Sequence, residues 1–259
     1  MKTILILLVM FSPVLAQKPQ LQKERQVLLD FRKDRNYVAP KISAATQRMV
    51  LSKMFRRYLT DQSQCKQDFD TSNNSDHLAA ARKAGEIVPS IFTVATGSFT
   101  AAGQQQTLYL VSVGECNASH ADAFGSKRAA IFSGQRLVAD VDANFKDDIE
   151  IKTDLNSDGI EELLMSSVDQ HQGTVEEMAT LVTFQNGRLN VIHDFGLVGE
   201  DSCASLRPGS SSKAAVLYMT VDSPGTMPKF AQENYQAGCN RNKRWRLLSR
   251  GQLRQMARR

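Results

Sequence analysis

Near the start of the chain, apolar residues fall at helical spacing in two places: Leu21, Val27, Leu28 and Phe31, then Met49, Val50, Met54 and Tyr58. This periodicity predicts amphipathic helices over Leu21–Arg32 and Ser43–Thr60, with Pro40 between them as a stop, because the residue before a proline is pushed out of the α region. The polar stretch Asp61 to Asp76 reads as a loop, and a short helix is expected over His77–Ala84. From Ile87 onward the pattern changes to short β-branched and aromatic runs broken by turn residues. Ile91–Phe99, Thr107–Val113, Ala129–Phe132, Arg136–Val141, Leu163–Ser166, Thr180–Phe184, Leu189–Phe195 and Ala214–Val221 all read as strands. Two hairpins are specified by their turns, Ser133-Gly134-Gln135 and Gln185-Asn186-Gly187. The second carries Asn-Gly, which suits a type I′ turn because both central residues there must accept positive φ.

Overlaying the strand runs exposes an internal period. Leu108-Tyr109-Leu110 aligns with Glu162-Leu163-Leu164 and with Val216-Leu217-Tyr218, while Phe132, Phe184 and Tyr235 each precede a basic-plus-apolar strand start. Those starts are Arg136-Leu137, Arg188-Leu189 and Trp245-Arg246-Leu247. The expected fold is mainly β: about three antiparallel sheet units of roughly fifty residues, the size of propeller blades, preceded by N-terminal α-helices. A coincidence of strand spacing in an ordinary β-domain is the competing reading. Three units are too few to close a propeller, so covered edges or pairing with another chain are expected.

At 42% hydrophobic and 23% charged residues the composition is globular. The first residues, a lysine, an apolar run from Ile4 to Phe11 and small residues at Val14 and Ala16, read as a cleaved signal peptide over residues 1–16. A secreted or periplasmic location follows, with no transmembrane segment in the mature chain. The remaining organisation reads as an α-helical segment over 17–86, a β-repeat domain over 87–248 and a basic tail over 249–259. Cys65, Cys116, Cys203 and Cys239 are an even, widely spaced set without a C-x-x-C pair, so two disulfides are expected. Of three connectivities, Cys65–Cys116 with Cys203–Cys239 keeps each pair within one part of the chain. Asn73 and Asn117 match the glycosylation sequon.

The net charge of +5 conceals segregation. Residues 17–60 carry 11 bases and 3 acids, residues 61–240 carry 12 and 24, and residues 241–259 carry 8 and none. A nucleic-acid reader would hold its bases as a stripe on the folded domain, so nucleic acid is not an expected partner. Two roles suit basic ends: docking on the acidic middle, or contact with an anionic surface such as lipid headgroups or envelope polymers.

The most specific stretch is Thr153-Asp154-Leu155-Asn156-Ser157-Asp158-Gly159-Ile160-Glu161-Glu162-Leu163-Leu164. Oxygen side chains at alternate positions followed by Gly fold into a tight loop aiming Asp154, Asn156 and Asp158 at one centre. Ile160 would add its backbone carbonyl, and Glu162 would close the shell directly or through water, a donor set that suits Ca2+. An EF-hand requires Glu at the twelfth position, where this chain has Met165. An Asp/Asn turn whose side chains satisfy backbone N–H groups is the alternative. Upstream, Asp140, Asp142, Asp147, Asp148 and Glu150 strengthen the negative field or form a solvated acidic hairpin.

Because Leu163-Leu164-Met165 is a strand rather than a helix, the D-x-N-x-D-G-x-x-E-L-L pattern resembles the calcium loops of FG-GAP (integrin-α-like, VCBS-type) β-propeller repeats. The resemblance covers about a dozen residues and implies that Asp154, Asn156, Asp158, Ile160 and Glu162 bind calcium. The equivalent stretches Thr96–Gly103 and Leu206–Gly209 lack carboxylates, so one ion is implied.

Catalytic patterns are weaker. Cys116 with His120 and Asp122 would need a thiolate, which an oxidised secreted cysteine does not offer. Ser210-Ser211-Ser212-Lys213 has the S-x-x-K spacing but opens no helix. His77, His171 and His193 are isolated, and His193 and Asp194 point to opposite faces of a strand. The expected function is a calcium-binding interaction module of the cell envelope or extracellular space with a protein or glycan partner. The alternative is a hydrolase of an extracellular polymer using carboxylates between Asp140 and Glu162.

Overall fold

The computed structural model describes residues 25–35, 38–54, 90–112, 127–143, 146–205, 208–240 and 242–252. Residues 1–16, the sequons, the helix expected over His77–Ala84, and Cys65, Cys116, His77, His120 and Asp122 lie outside them. Among the described residues the chain is mainly antiparallel β, with one helix, α1 (Ala44–Met54). The strands are β1 (Gln26–Asp30), β2 (Ser90–Gly97), β3 (Gln106–Ser112), β4 (Lys127–Ser133), β5 (Arg136–Asp142), β6 (Asp148–Thr153), β7 (Glu162–His171), β8 (Thr174–Gln185), β9 (Arg188–Asp201), β10 (Ser211–Thr220), β11 (Lys229–Gly238) and β12 (Arg246–Arg250).

Strands β2 to β5 form a four-stranded meander. A second sheet of eight strands runs β12-β11-β10-β9-β8-β7-β6, with β1 added on β10. Pairing of β9 with β10 is confined to three residues, Gly199–Asp201 against Ala214–Ser212. Beyond them β10 turns its edge to β1 over Val216–Met219. Three antiparallel sets result: β2–β5, β6–β9, and β10–β12 completed by β1. No barrel or propeller closes among the described residues.

Alternation along the strands makes the sets stack. In β7, Leu163 and Met165 face the first set and pack with Phe99, Leu108, Leu110, Ile131 and Phe184. Leu164 points the opposite way and packs with Leu181, Phe195, Ala215 and Leu217 of the second and third sets. The far face of the first set, Tyr109, Val111, Ala130 and Phe132, is covered by Val50 and Leu51 of α1.

The structure corrects one element. The helix expected over Leu21–Arg32 is the strand β1 across Gln26–Asp30. The apolar run Val27-Leu28-Leu29 fits either period, and β10 offers an edge that only a strand can pair, so tertiary pairing overrides the helical spacing. The second helix forms over its described part. Asn186 and Gly187 have φ of 54° and 69°, as the Asn-Gly turn requires. Strands β6 and β11 were not expected: their runs, DIEIKT and KFAQENYQAG, are too polar to announce themselves. The Cys203–Cys239 disulfide forms and ties the end of β11 to the β9–β10 connection. Its 36-residue separation stabilises by about 3–4 kcal/mol in the chain-entropy picture.

On the outer face of the third set the Glu233 carboxylate accepts hydrogen bonds from the Tyr218 and Tyr235 hydroxyls at 3.1 and 2.9 Å and from Arg25 and Arg250 at 3.0 and 3.3 Å. Desolvation pushes this carboxyl up, but the tyrosine and Arg25 bonds together with the Arg25 charge outweigh it and hold it at about 2. A depressed folded value means that the stabilisation is complete above the ordinary 4.5 and is lost as pH falls towards 2. Glu233→Gln is therefore expected to cost about 2 kcal/mol in urea unfolding at neutral pH and to flatten the loss of stability between pH 4.5 and 3.

Candidate functional site

The turn between β6 and β7 is built by its own side chains. Asp154 accepts from the Asp158 and Gly159 amides at 3.1 and 2.9 Å, Asn156 from the Asp158 amide at 3.1 Å, and Asp158 from the Ile160 amide at 2.8 Å. Asn156 Nδ2 donates to Asp158 Oδ2 at 2.9 Å. Ser157 and Gly159 take φ of 59° and 83°, which lets the chain double back so tightly. Glu162 is 2% exposed and accepts from the Leu155 amide at 2.8 Å, closing the turn from the strand side. Its carboxyl is pushed up, chiefly by burial, opposed by the Leu155 bond and reinforced by the charges of Asp158 and Asp154. No described lysine or arginine forms an ion pair with Asp154, Asp158 or Glu162.

Neighbouring turns hold this one in place. Glu161 accepts from the Ser98 amide at 2.8 Å, its own amide donates to the Ser98 carbonyl at 2.8 Å, and its other oxygen pairs with Lys152 at 3.3 Å. A Cβ on Gly97 would lie 1.7 Å from Glu161 Oε2, and one on Gly159 would lie 2.8 Å from Ala102 Cβ. The turn thus rests on the β2–β3 turn of the first set. On the other side the approach is looser: a Cβ on Gly225, between β10 and β11, would lie 3.8 Å from the Asn156 carbonyl oxygen, an ordinary van der Waals contact.

As the side chains lie, no three His, Cys, Asp or Glu groups converge on one point among the described residues. Backbone N–H groups occupy one lone pair on most of the loop's carboxylate oxygens. A carboxylate has about four acceptor sites, so the donors retain capacity for a hard cation.

The upstream acids are for the most part engaged. Asp140 accepts from Arg128 at 2.7 Å, and Asp147 pairs with Lys127 and caps the Val168 amide. Glu150 accepts from Arg35 at 2.7 Å and from Ser166 at 2.7 Å, and Arg35 also grips Glu177. Arg35 and Glu177 come from segments where the sequence held no site signal; only the fold brings them to Glu150. Burial pushes both Asp148 and Glu177 up; Arg35 opposes this at each, and the Ile149 amide also opposes it at Asp148. Asp148 and Glu150 line a groove of about 500 Å³ between β2 and β6, bordered by Val38, Pro40, Phe92 and Lys152.

The remaining described candidates are engaged with neighbouring groups. Lys213 of the S-x-x-K run pairs with Glu200 at 2.7 Å rather than with Ser210. His193 packs edge-on to Phe195 at 4.6 Å, and burial pushes it down; Asp194 caps the Gly196 amide at 2.9 Å. His171 pairs with Asp169 on an exposed hairpin.

The fold and these sites define a stacked antiparallel β-sheet protein with a carboxylate-rich turn and an acidic groove. No protein family, characterised protein or solved structure matches the chain.

Gly159→Ala is expected to lower stability by about 1–2 kcal/mol in urea unfolding, because it places a side chain at positive φ against Ala102. Gly187→Ala, at positive φ but facing open space, is expected to cost less.

Proposed function

We propose that the chain is a secreted or periplasmic calcium-binding β-repeat protein, its three sets being propeller-blade-like units, and that it acts as an interaction module outside the cytoplasm. The observation that carries this reading is the turn 154–162. Asp154, Asp158 and the buried Glu162 share this one turn without a described counter-ion, each accepting a backbone amide, and the turn rests against the β2–β3 turn. Like charges in one turn repel one another, and a hard divalent cation would offset that repulsion. Asp154, Asn156, Asp158, the Ile160 carbonyl and Glu162 would hold it. Calcium would neutralise the turn and fix the β6–β7 connection against the first set.

Repetition of the blade unit is supported by a shared irregularity. The first strand of each set carries one extra residue against its partner: Phe92 in β2, Glu150 in β6 and Leu28 in β1. In the third unit that strand comes from the N-terminal segment instead of the preceding loop.

One observation favours a second reading, a hydrolase of an extracellular polymer: Asp148 and Glu150 line the same groove. Glycan and ester panels tested with Asp148→Asn and Glu150→Gln decide it, since turnover lost with the fold intact would support hydrolysis.

For the first reading, saturating calcium at about a hundred times Kd should add about 2.7 kcal/mol and raise Tm by roughly 5–10 °C, measured by calorimetry against EDTA. Asp154→Asn with Asp158→Asn should remove the shift. An unchanged Tm at millimolar calcium overturns the calcium reading.

A further inference from the structure

Two strand edges border the groove. Among the described residues β2 pairs only with β3 and β6 only with β7, so each keeps an edge that no described strand pairs. The two run parallel across the groove. Thr93 Oγ1 reaches the Asp147 carbonyl at 3.4 Å at one end, and Lys152 Nζ reaches the Thr96 carbonyl at the other. Between these bridges the space amounts to about 500 Å³. The bulged residues Phe92 and Glu150 both line it, and bulges are a means of re-aiming side chains next to sites. An uncovered edge is a template for an added strand: its backbone groups supply affinity and neighbouring side chains supply selectivity.

The charges select the ligand. Asp148, Glu150 and Glu177 stand against one guanidinium, Arg35, which both glutamates already use. Lys152, the other cation on the groove wall, pairs with Glu161. Asp148 is half-buried and forms no ion pair among the described residues; its partners are the Ile149 amide at 2.8 Å and Thr93 at 3.5 Å. The groove therefore carries surplus negative charge that no described cation neutralises.

We propose that this groove binds an extended peptide segment bearing lysine or arginine, which adds to the second edge of β6 as a strand and seats its cation against Asp148. The proposal rests on the reading of the chain as an interaction module and names the face that does the interacting. Phe92, whose ring centre lies 5.6 Å from the Lys127 ammonium that pairs with Asp147, lines the same groove, and Val38 and Pro40 wall the segment in.

The test uses the full-length chain and fluorescein-labelled peptides of alternating Val and Thr with a central Lys, read by fluorescence polarisation. Micromolar binding is expected for the Lys peptide. Replacing Lys by Glu, or N-methylating alternate backbone amides, should each weaken binding at least tenfold. Asp148→Asn should weaken the Lys peptide at least tenfold, and Asp148→Glu should restore most of the loss, with circular dichroism confirming the fold. The peptide substitutions leave the protein untouched, so they decide the matter even where a protein variant misfolds. Equal binding of Lys and Glu peptides, or of N-acetyl-lysine amide and the full peptide, overturns the proposal. Cleavage of the peptide, seen by mass spectrometry, overturns it in favour of the hydrolase. A chain that gains Tm with calcium yet binds no peptide rejects the groove alone, whereas peptide binding without a calcium shift rejects only the metal.

Discussion

A sheet that is apolar on both faces must be covered on both, and the middle set, β6–β9, imposes that requirement on the rest of the molecule. In β7, Leu163 and Met165 point one way and Leu164 the other, all three fully buried. Neither face can meet water without exposing several large side chains, at about 25 cal/mol for each Å² left wet. The first set covers one face and the third covers the other. Each outer set then needs a cover of its own, and the two solutions differ. The first set receives the apolar side chains of α1. The third is overlaid by long polar side chains: Arg25 lies 3.5 Å from the Tyr218 ring centre and Arg32 4.3 Å from that of Tyr235. Arginine stems and stacked guanidinium planes screen apolar surface while the charge stays hydrated.

The same arrangement accounts for the segregated charge. Arg25 and Arg35, from the basic N-terminal segment, pair with Glu233, Glu150 and Glu177; Arg250 and Lys243, near the other end, pair with Glu233 and Asp201. Four described bases of the two ends, Arg25, Arg35, Lys243 and Arg250, thus dock on the acidic middle, whereas Arg32 pairs with Asp30 of its own segment. Each exposed pair contributes little on its own. Together they fix where β1 and β12 attach, and strand registration needs that help where only four or five residues pair, as in β1 and β12.

Legibility in the sequence followed the physics of each element. Strands with β-branched or aromatic alternation were readable, and so were the Asn186-Gly187 turn and the Cys203–Cys239 pairing. Strand β6 was not, because its alternating Asp, Glu and Lys face a groove and an ion-pair network instead of open solvent. β1 read as a helix because a five-residue strand cannot be told from a helical turn by spacing, and its reason to be extended lies about 190 residues away in β10. That residues 154–159 form a tight turn built on Asp154, Asn156, Asp158 and Gly159 could be read in advance, since the turn is local. The joining of Arg35 with Glu150 and Glu177 could not, since it depends on three segments that meet only after the sets stack.

One network links the turn to the groove. Glu161 sits between Ser98 and Lys152, and Lys152 in turn reaches the Thr96 carbonyl across the groove. A change in the turn that moves Glu161 must therefore be felt at the ends of both β2 and β6, the strands that border the groove. Gly97 makes this contact possible, because any side chain there would displace the Glu161 carboxylate. If calcium binds the turn and a peptide binds the groove, linkage requires each to alter the affinity of the other by the same factor. The sign depends on whether the metal holds Glu161 where it now lies or draws it away. Holding it would keep Lys152 partnered and the edges at their present spacing. Drawing it away would release a lysine into a groove whose surplus charge is negative, and that cation would compete with the incoming ligand for Asp148.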